Sequence, residues 1–276
     1  HQSGAHEIGV GAILGAPFML ATVAFFLVGL TAIVSFLRGK RACELNIETG
    51  TFKRDMTFFM VMYSAAIFVP ILTGRTFVIP LAALLVVGYL YYVHLTIKGD
   101  SAAVEHSGGL HSSVFRNMFR EVKREEPRLI SIVAQIAAAL ALMVIGAKVF
   151  VHYLGIVSVH CGMSPLLFAL LVAPVATELP EKFNSVTWIL KKKDALALGN
   201  ITGAMVFQAT FPVSIGLLLT DWQISGMALV SAVLALLCAG IALLEVVLKN
   251  KLSPATILCG GVFYAVYAVL VILGWR

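Results

Sequence analysis

Two carboxylates and a lysine stand near the middle of an otherwise apolar run, in Pro174-Val-Ala-Thr177-Glu178-Leu-Pro180-Glu181-Lys182-Phe-Asn184-Ser185. If that run crosses a bilayer, each charge costs about 3 kcal/mol at mid-depth, so it needs partners or a wet cavity. Pro174 and Pro180 each remove a backbone donor and free carbonyl oxygens that can line such a cavity. Thr177 and Glu181 are four apart and share a helix face, while Glu178 and Lys182 share the neighbouring face and can neutralise each other. Two chemistries fit this pattern. Either Glu181 binds a cation or a proton with Thr177 as a neutral oxygen ligand, or Glu178, Glu181 and Lys182 form a structural ion-pair cluster. Gln208 falls near the middle of the next apolar run, one turn before Pro212. It either faces the same point or makes an ordinary interhelical hydrogen bond.

Other reactive residue types carry less. Cys43, Cys161, Cys238 and Cys259 form no Cys-x-x-Cys pair, and Glu105, His106 and His111 fit a solvated loop better than a zinc site. Lys148 is placed to snorkel, Glu245 to pair with Lys249 on a helix surface, and Gln135 to make a packing contact. No nucleophile–base constellation or phosphate loop is visible, so the sequence does not read as an enzyme, and no cofactor is expected beyond a transported cation.

The elements that must position these residues follow from composition. Of 276 residues, 60% are hydrophobic and 12% charged, with a net charge of +6. Soluble domains run near half apolar and a quarter charged. A soluble globular domain, a disordered tail and a nucleic-acid-binding module are excluded. In lipid each long apolar run must be a helix, because its backbone has no other hydrogen-bond partners. Eight such runs, at about 8–36, 56–74, 76–97, 129–155, 164–190, 195–219, 224–247 and 253–274, are long enough to span. The second and third are joined by a tight turn at Gly74-Arg75. The class expected is an all-α polytopic membrane protein whose main partner, besides inorganic cations, is the lipid bilayer; the oligomeric state stays open. The first residue is His1, and the chain is read as beginning inside a longer protein.

Apart from Arg75, Lys148, Lys182 and Arg276, every basic residue falls between positions 38–54, 98–128, 191–193 or 249–251. Those segments lie on one side if all eight runs cross. Lysine and arginine mark the cytoplasmic face, which sets the first residue outside an inner or plasma membrane. Between residues 98 and 128 runs the longest hydrophilic segment. Its Val114, Phe115, Met118, Phe119 and Val122, with Arg116, Arg120, Lys123 and Arg124 between, fit an amphipathic surface helix or a basic linker.

The chain also repeats itself at an offset of 188 residues, Gly11 over Gly199. Ile8-Gly-Val-Gly-Ala-Ile-Leu-Gly-Ala16 lies over Leu196-Ala-Leu-Gly-Asn-Ile-Thr-Gly-Ala204, and Ala21-Thr22 over Ala209-Thr210. Both copies carry Gly-x-x-x-Gly, which lets helix backbones approach closely. The two copies run in opposite directions across the membrane. Oppositely oriented repeats mark transporters whose site lies near the midplane; two merely glycine-rich packing helices are the plainer alternative.

Ala176-Thr-Glu-Leu-Pro-Glu181, followed by Asp194-Ala-Leu-Ala-Leu-Gly-Asn-Ile-Thr-Gly203-Ala, resembles an alpha repeat of the calcium/cation antiporter superfamily, and His6 to Thr22 is similar to the second helix of the other alpha repeat. The resemblance implies a ten-helix fold of two inverted sets of five, of which this chain carries helices three to ten. It divides the chain into 1–97 (the rest of the first repeat), 98–128 (a cytoplasmic basic loop) and 129–276 (the second repeat). It implies cation exchange by alternating access, with calcium, sodium or protons as the ions. By position, Glu181 matches the family's ion-binding glutamate and Thr177 its neighbouring threonine. Glu178 stands where the family has serine, Ala204 replaces a serine, and Gln208 replaces an Asn or Asp; in the first copy Ala16 and Leu20 hold the corresponding positions. Each change away from an oxygen-bearing side chain trims the six to eight oxygens that calcium takes. A non-transporting scaffold that keeps the fold is the alternative.

Overall fold

The computed structural model describes residues 2–99, 129–224 and 226–274. The expected amphipathic segment and the Glu105–His106–His111 cluster lie outside them. Among the described residues eleven α-helices follow in order: α1 Gln2–Met19, α2 Phe25–Leu37, α3 Thr49–Thr73, α4 Val78–Gly99, α5 Leu129–His160, α6 Pro165–Thr177, α7 Leu179–Leu190, α8 Asp194–Gln208, α9 Phe211–Leu219, α10 Gly226–Lys249 and α11 Pro254–Ile272. Among the described residues no strand forms, and Leu45 and Leu252 make one isolated antiparallel bridge. The chain is an all-α, multi-pass membrane protein.

Helices and spans correspond once the interruptions are accounted for. The α3–α4 stretch, Thr49–Lys98, holds 50 apolar-rich residues. A straight helix of that length would reach roughly 75 Å, more than twice the hydrocarbon thickness. The chain instead reverses through a 3₁₀ turn at Gly74–Phe77, where Gly74 takes φ 61°, a conformation that side chains with a Cβ resist. Met62 of α3 then meets Gly88 of α4, at similar distances from the turn. The α6–α7 and α8–α9 pairs each make one crossing out of two short helices.

One compact unit comprises 1–90 and 154–276. At its centre α1 lies against α6 at backbone distance. A Cβ on Gly11 would overlap the Leu166 carbonyl oxygen, and one on Gly15 would overlap that of Leu170. The expected Gly-x-x-x-Gly seam is therefore in use in the first repeat. At its counterpart on α8 a Cβ on Gly199 would meet nothing within 4 Å. The second unit spans 91–153, the end of α4 and most of α5 among the described residues. Many of its described apolar side chains, Leu142 and Met143 among them, are exposed, and so is Gln135, which the sequence placed in a packing contact.

Ion pairs sort the loops of the first unit into two ends. Arg75 Nη1 meets Asp221 Oδ1 at 2.9 Å, tying the α3–α4 turn to the segment after α9. At the opposite end Arg41 reaches the first residue of α8, donating from Nη1 to Asp194 Oδ1 at 2.9 Å and from Nη2 to Oδ2 at 2.5 Å. The Asn46 backbone N–H adds a third bond to the same carboxylate at 2.9 Å. Lys251–Glu44 and Lys53–Asn250, at 2.8 and 2.7 Å, join the α2–α3 and α10–α11 loops beside it. Glu245 pairs with Lys249 at 3.7 Å as expected, and also accepts from the Ser253 backbone N–H at 3.1 Å, closing the α10–α11 turn.

Two outcomes follow for thermal unfolding in detergent. Asp194→Asn removes the charge that Arg41 is buried against, and stability should fall by about 3 kcal/mol. Gly11→Ala should destabilise by about 2 kcal/mol through overlap with α6, whereas the repeat-related Gly199→Ala should be neutral or slightly stabilising in this chain.

Candidate functional site

Three of the described spans depart from regular α-helix near their middles, one by a π-helical turn within a continuous rod and two by a break between short helices. The first rod passes from α1 to α2 through a π-helical turn at Leu20–Ala24. At the same depth of the second repeat, α8 and α9 part at Ala209–Thr210, where Thr210 takes φ −120° and ψ −73°. The repeat offset superposes the two departures, and it superposes their repair. The Thr22 hydroxyl donates to the Phe18 carbonyl at 2.5 Å, and the Thr210 hydroxyl to the equivalent Val206 carbonyl at 2.7 Å. Both threonines are fully buried. The third departure, a break, separates α6 from α7 at Glu178, between Pro174 and Pro180.

Glu178 and Gln208 bring the two breaks together. The Gln208 amide donates to Glu178 Oε1 at 2.7 Å, so the last residue of α8 caps the carboxylate at the α6–α7 junction. Further along α7, Ser185 donates to the Ala197 carbonyl at 3.2 Å and accepts from Asn200 at 3.2 Å. The face of α7 that carries Glu178, Lys182 and Ser185 therefore packs on α8, the two helices running antiparallel. Lys182 is 1% exposed, and its Nζ has no hydrogen-bond partner. Its nearest carboxylate oxygen is Glu181 Oε1 at 3.5 Å, and its charge also acts on Glu178, as helix spacing suggested.

Thr177 and Glu181 stand apart from that inner contact. The Thr177 hydroxyl donates to the Ala173 carbonyl at 3.0 Å, which leaves its oxygen lone pairs available. The Glu181 side chain is 57% exposed. The four residues singled out by sequence thus divide into a packed pair, Glu178 and Gln208, and an open pair, Thr177 and Glu181. Among the described residues no group of three or more His, Cys, Asp or Glu side chains is arranged to hold a metal ion. Any cation bound here must draw on neutral oxygens as well as the two glutamates.

Two buried carboxylates escaped the sequence reading. Asp55 is 1% exposed on α3 and accepts from the Thr202 hydroxyl of α8 at 2.6 Å, while Arg54 donates to its other oxygen. Asp194, 2% exposed, is the anchor of the Arg41 clamp. Both sit at span ends, where an acid beside lysines and arginines reads as solvated. The signal in sequence was helix position: Asp194 opens α8, where the dipole favours an acid. Away from all four predicted residues, a cavity of about 840 Å³ opens at the Arg75–Asp221 end, lined by His6, Glu7, Ser164, Asp221 and Trp222 among others.

Comparison with known proteins agrees with this architecture. A family model described as sodium/calcium exchanger protein matches residues 131–273, just over half the chain. The putative antiporter CaxA of Alkalimonas amylolytica is 31% identical over 132 residues, 45% of this chain and 41% of that protein. The inner membrane protein YrbG of Escherichia coli (strain K12) is 28% identical over 109 residues, 36% of this chain and 34% of that one. The matched stretches thus span well under half of either relative. A crystal structure of an H+/Ca2+ exchanger, CAX, superposes on 98% of this chain and 75% of its own with a TM-score of 0.67 at 15% identity, a likeness of fold. With a family model matched over just over half of its length, the chain belongs to the sodium/calcium exchanger family, a family of transporters rather than enzymes.

Proposed function

We propose that the protein is a cation antiporter working by alternating access, with Glu178 and Glu181 as the charged groups of a midplane site. The observation that carries this reading is the meeting of two interrupted helices at the Glu178–Gln208 hydrogen bond, 2.7 Å long, at the depth where both spans break. Carboxylates at that depth are costly to keep, and helix breaks there free backbone oxygens beside them. Thr177 contributes a hydroxyl oxygen next to Glu181. Calcium, sodium or protons are the ions, as the family implies, and the basic loops face the cytoplasm.

The open Glu181 fits a bundle completed by further helices. In the ten-helix arrangement two more would join the eight of this chain, and the uncovered Gly199 surface of α8 offers a seat like the one α6 occupies on Gly11 and Gly15. In such a bundle a buried, water-reachable Glu181 would take its cation from one side and release it to the other. The scaffold alternative is favoured by one feature, the spending of Gln208 on Glu178 in place of an ion.

Reconstituted full-length protein should exchange calcium or sodium against the opposing gradient. Glu181→Gln should lower that flux by at least about a hundredfold, the scale expected when an ion loses its charged ligand at low dielectric, and Glu178→Gln should lower it less, because Gln208 already holds that carboxylate. Flux unchanged in both variants would remove these glutamates from the ion site, and no flux in the wild type with the fold intact would move the assignment to the scaffold.

A further inference from the structure

The inner face of α7 turns donors toward the carboxylates where an ion site would be expected to supply oxygens. Gln208 donates to Glu178 at 2.7 Å. The Glu178–Gln208 and Ser185–Asn200 contacts fix the register of α7 on α8 and set Lys182, one turn from each, level with Gly203 and Ala204. Neither of those residues has a side-chain oxygen. The Lys182 ammonium, with three donors and no acceptor, is 1% exposed, has no hydrogen-bond partner, and stands 3.5 Å from Glu181 Oε1. A methionine of similar length would fill the same space without desolvating a charge, so packing alone does not account for a lysine here.

We propose that Lys182 is a tethered cation of the carboxylate site and sets its ion selectivity. Glu178 and Glu181 together bring two negative charges, and the ammonium cancels one. What remains is a single net negative charge with few oxygens, which suits one monovalent cation or proton and disfavours a divalent ion that takes six to eight oxygens. The inference rests on the reading of Glu178 and Glu181 as the ion site and names the residue that chooses the ion. Lys182 acts by charge and touches the ion's ligands; it does not need to touch the ion.

The test is calorimetric titration of the purified full-length protein with calcium chloride and, separately, sodium chloride. Lys182→Met should tighten calcium binding by at least about tenfold, the effect of removing one positive charge a few ångströms away, and should weaken competition by sodium. Lys182→Arg, which keeps the charge, should retain the wild-type preference. Lys182→Gln, neutral and able to hydrogen-bond, gives the same readout if the methionine variant does not fold. Adding Glu178→Gln and Glu181→Gln to the neutral variant should abolish the gain. A folded neutral variant with wild-type calcium affinity would overturn the role of Lys182 while leaving the ion site standing. Cation binding that survives loss of both glutamates would instead overturn the site itself.

Discussion

Hydrocarbon supplies no hydrogen bonds, so a helix that breaks inside it must be repaired from within the protein. Three of this chain's described spans depart from regular α-helix near the middle, and each is repaired with local groups. Thr22 and Thr210 return hydroxyl bonds to the carbonyls one turn back, at repeat-related positions. At the α6–α7 junction the Glu178 backbone N–H still reaches the Pro174 carbonyl at 2.8 Å, although Pro180 contributes no donor of its own. Such repairs are inexpensive only if neighbouring backbones come close enough to exclude lipid. That closeness is what Gly11 and Gly15 provide between α1 and α6, and Gly260 provides against the Thr22 backbone on the other side of the same rod.

Much of this was legible in the sequence because the bilayer imposes a simple rule on it. Length and apolarity alone placed the spans, the Gly74-Arg75 pair between two apolar runs placed the turn, and the repeat aligned Ala21-Thr22 with Ala209-Thr210 before any break was visible. Side-chain direction was not legible. Helix spacing put Glu178 and Lys182 on one face correctly, and the charge of Lys182 acts on Glu178, yet its nearest carboxylate is Glu181 and the hydrogen bond to Glu178 comes from Gln208. That bond depends on a partner 30 residues away. Asp194 is a similar case, its Arg41 partner lying 153 residues off. Hydropathy reports how a residue sits along the membrane normal and is silent on which tertiary partner it finds.

The two ends of the bundle differ in how they are held. At one end a buried, bidentate Arg41–Asp194 pair, the Lys251–Glu44 and Lys53–Asn250 contacts and the Leu45–Leu252 bridge gather the loops after α2 and α10 around the start of α8. At the other, an exposed Arg75–Asp221 pair stands beside an open cavity of about 840 Å³. Exposed pairs contribute little and a buried Arg–Asp pair is strongly resisted when broken. The Arg41 fork holds the first residue of α8, Asp194, and the last residue of the same helix, Gln208, holds Glu178. One helix thus carries at its two ends the buried clamp of the loop end and the capped carboxylate of the α6–α7 junction, and its placement is fixed from both.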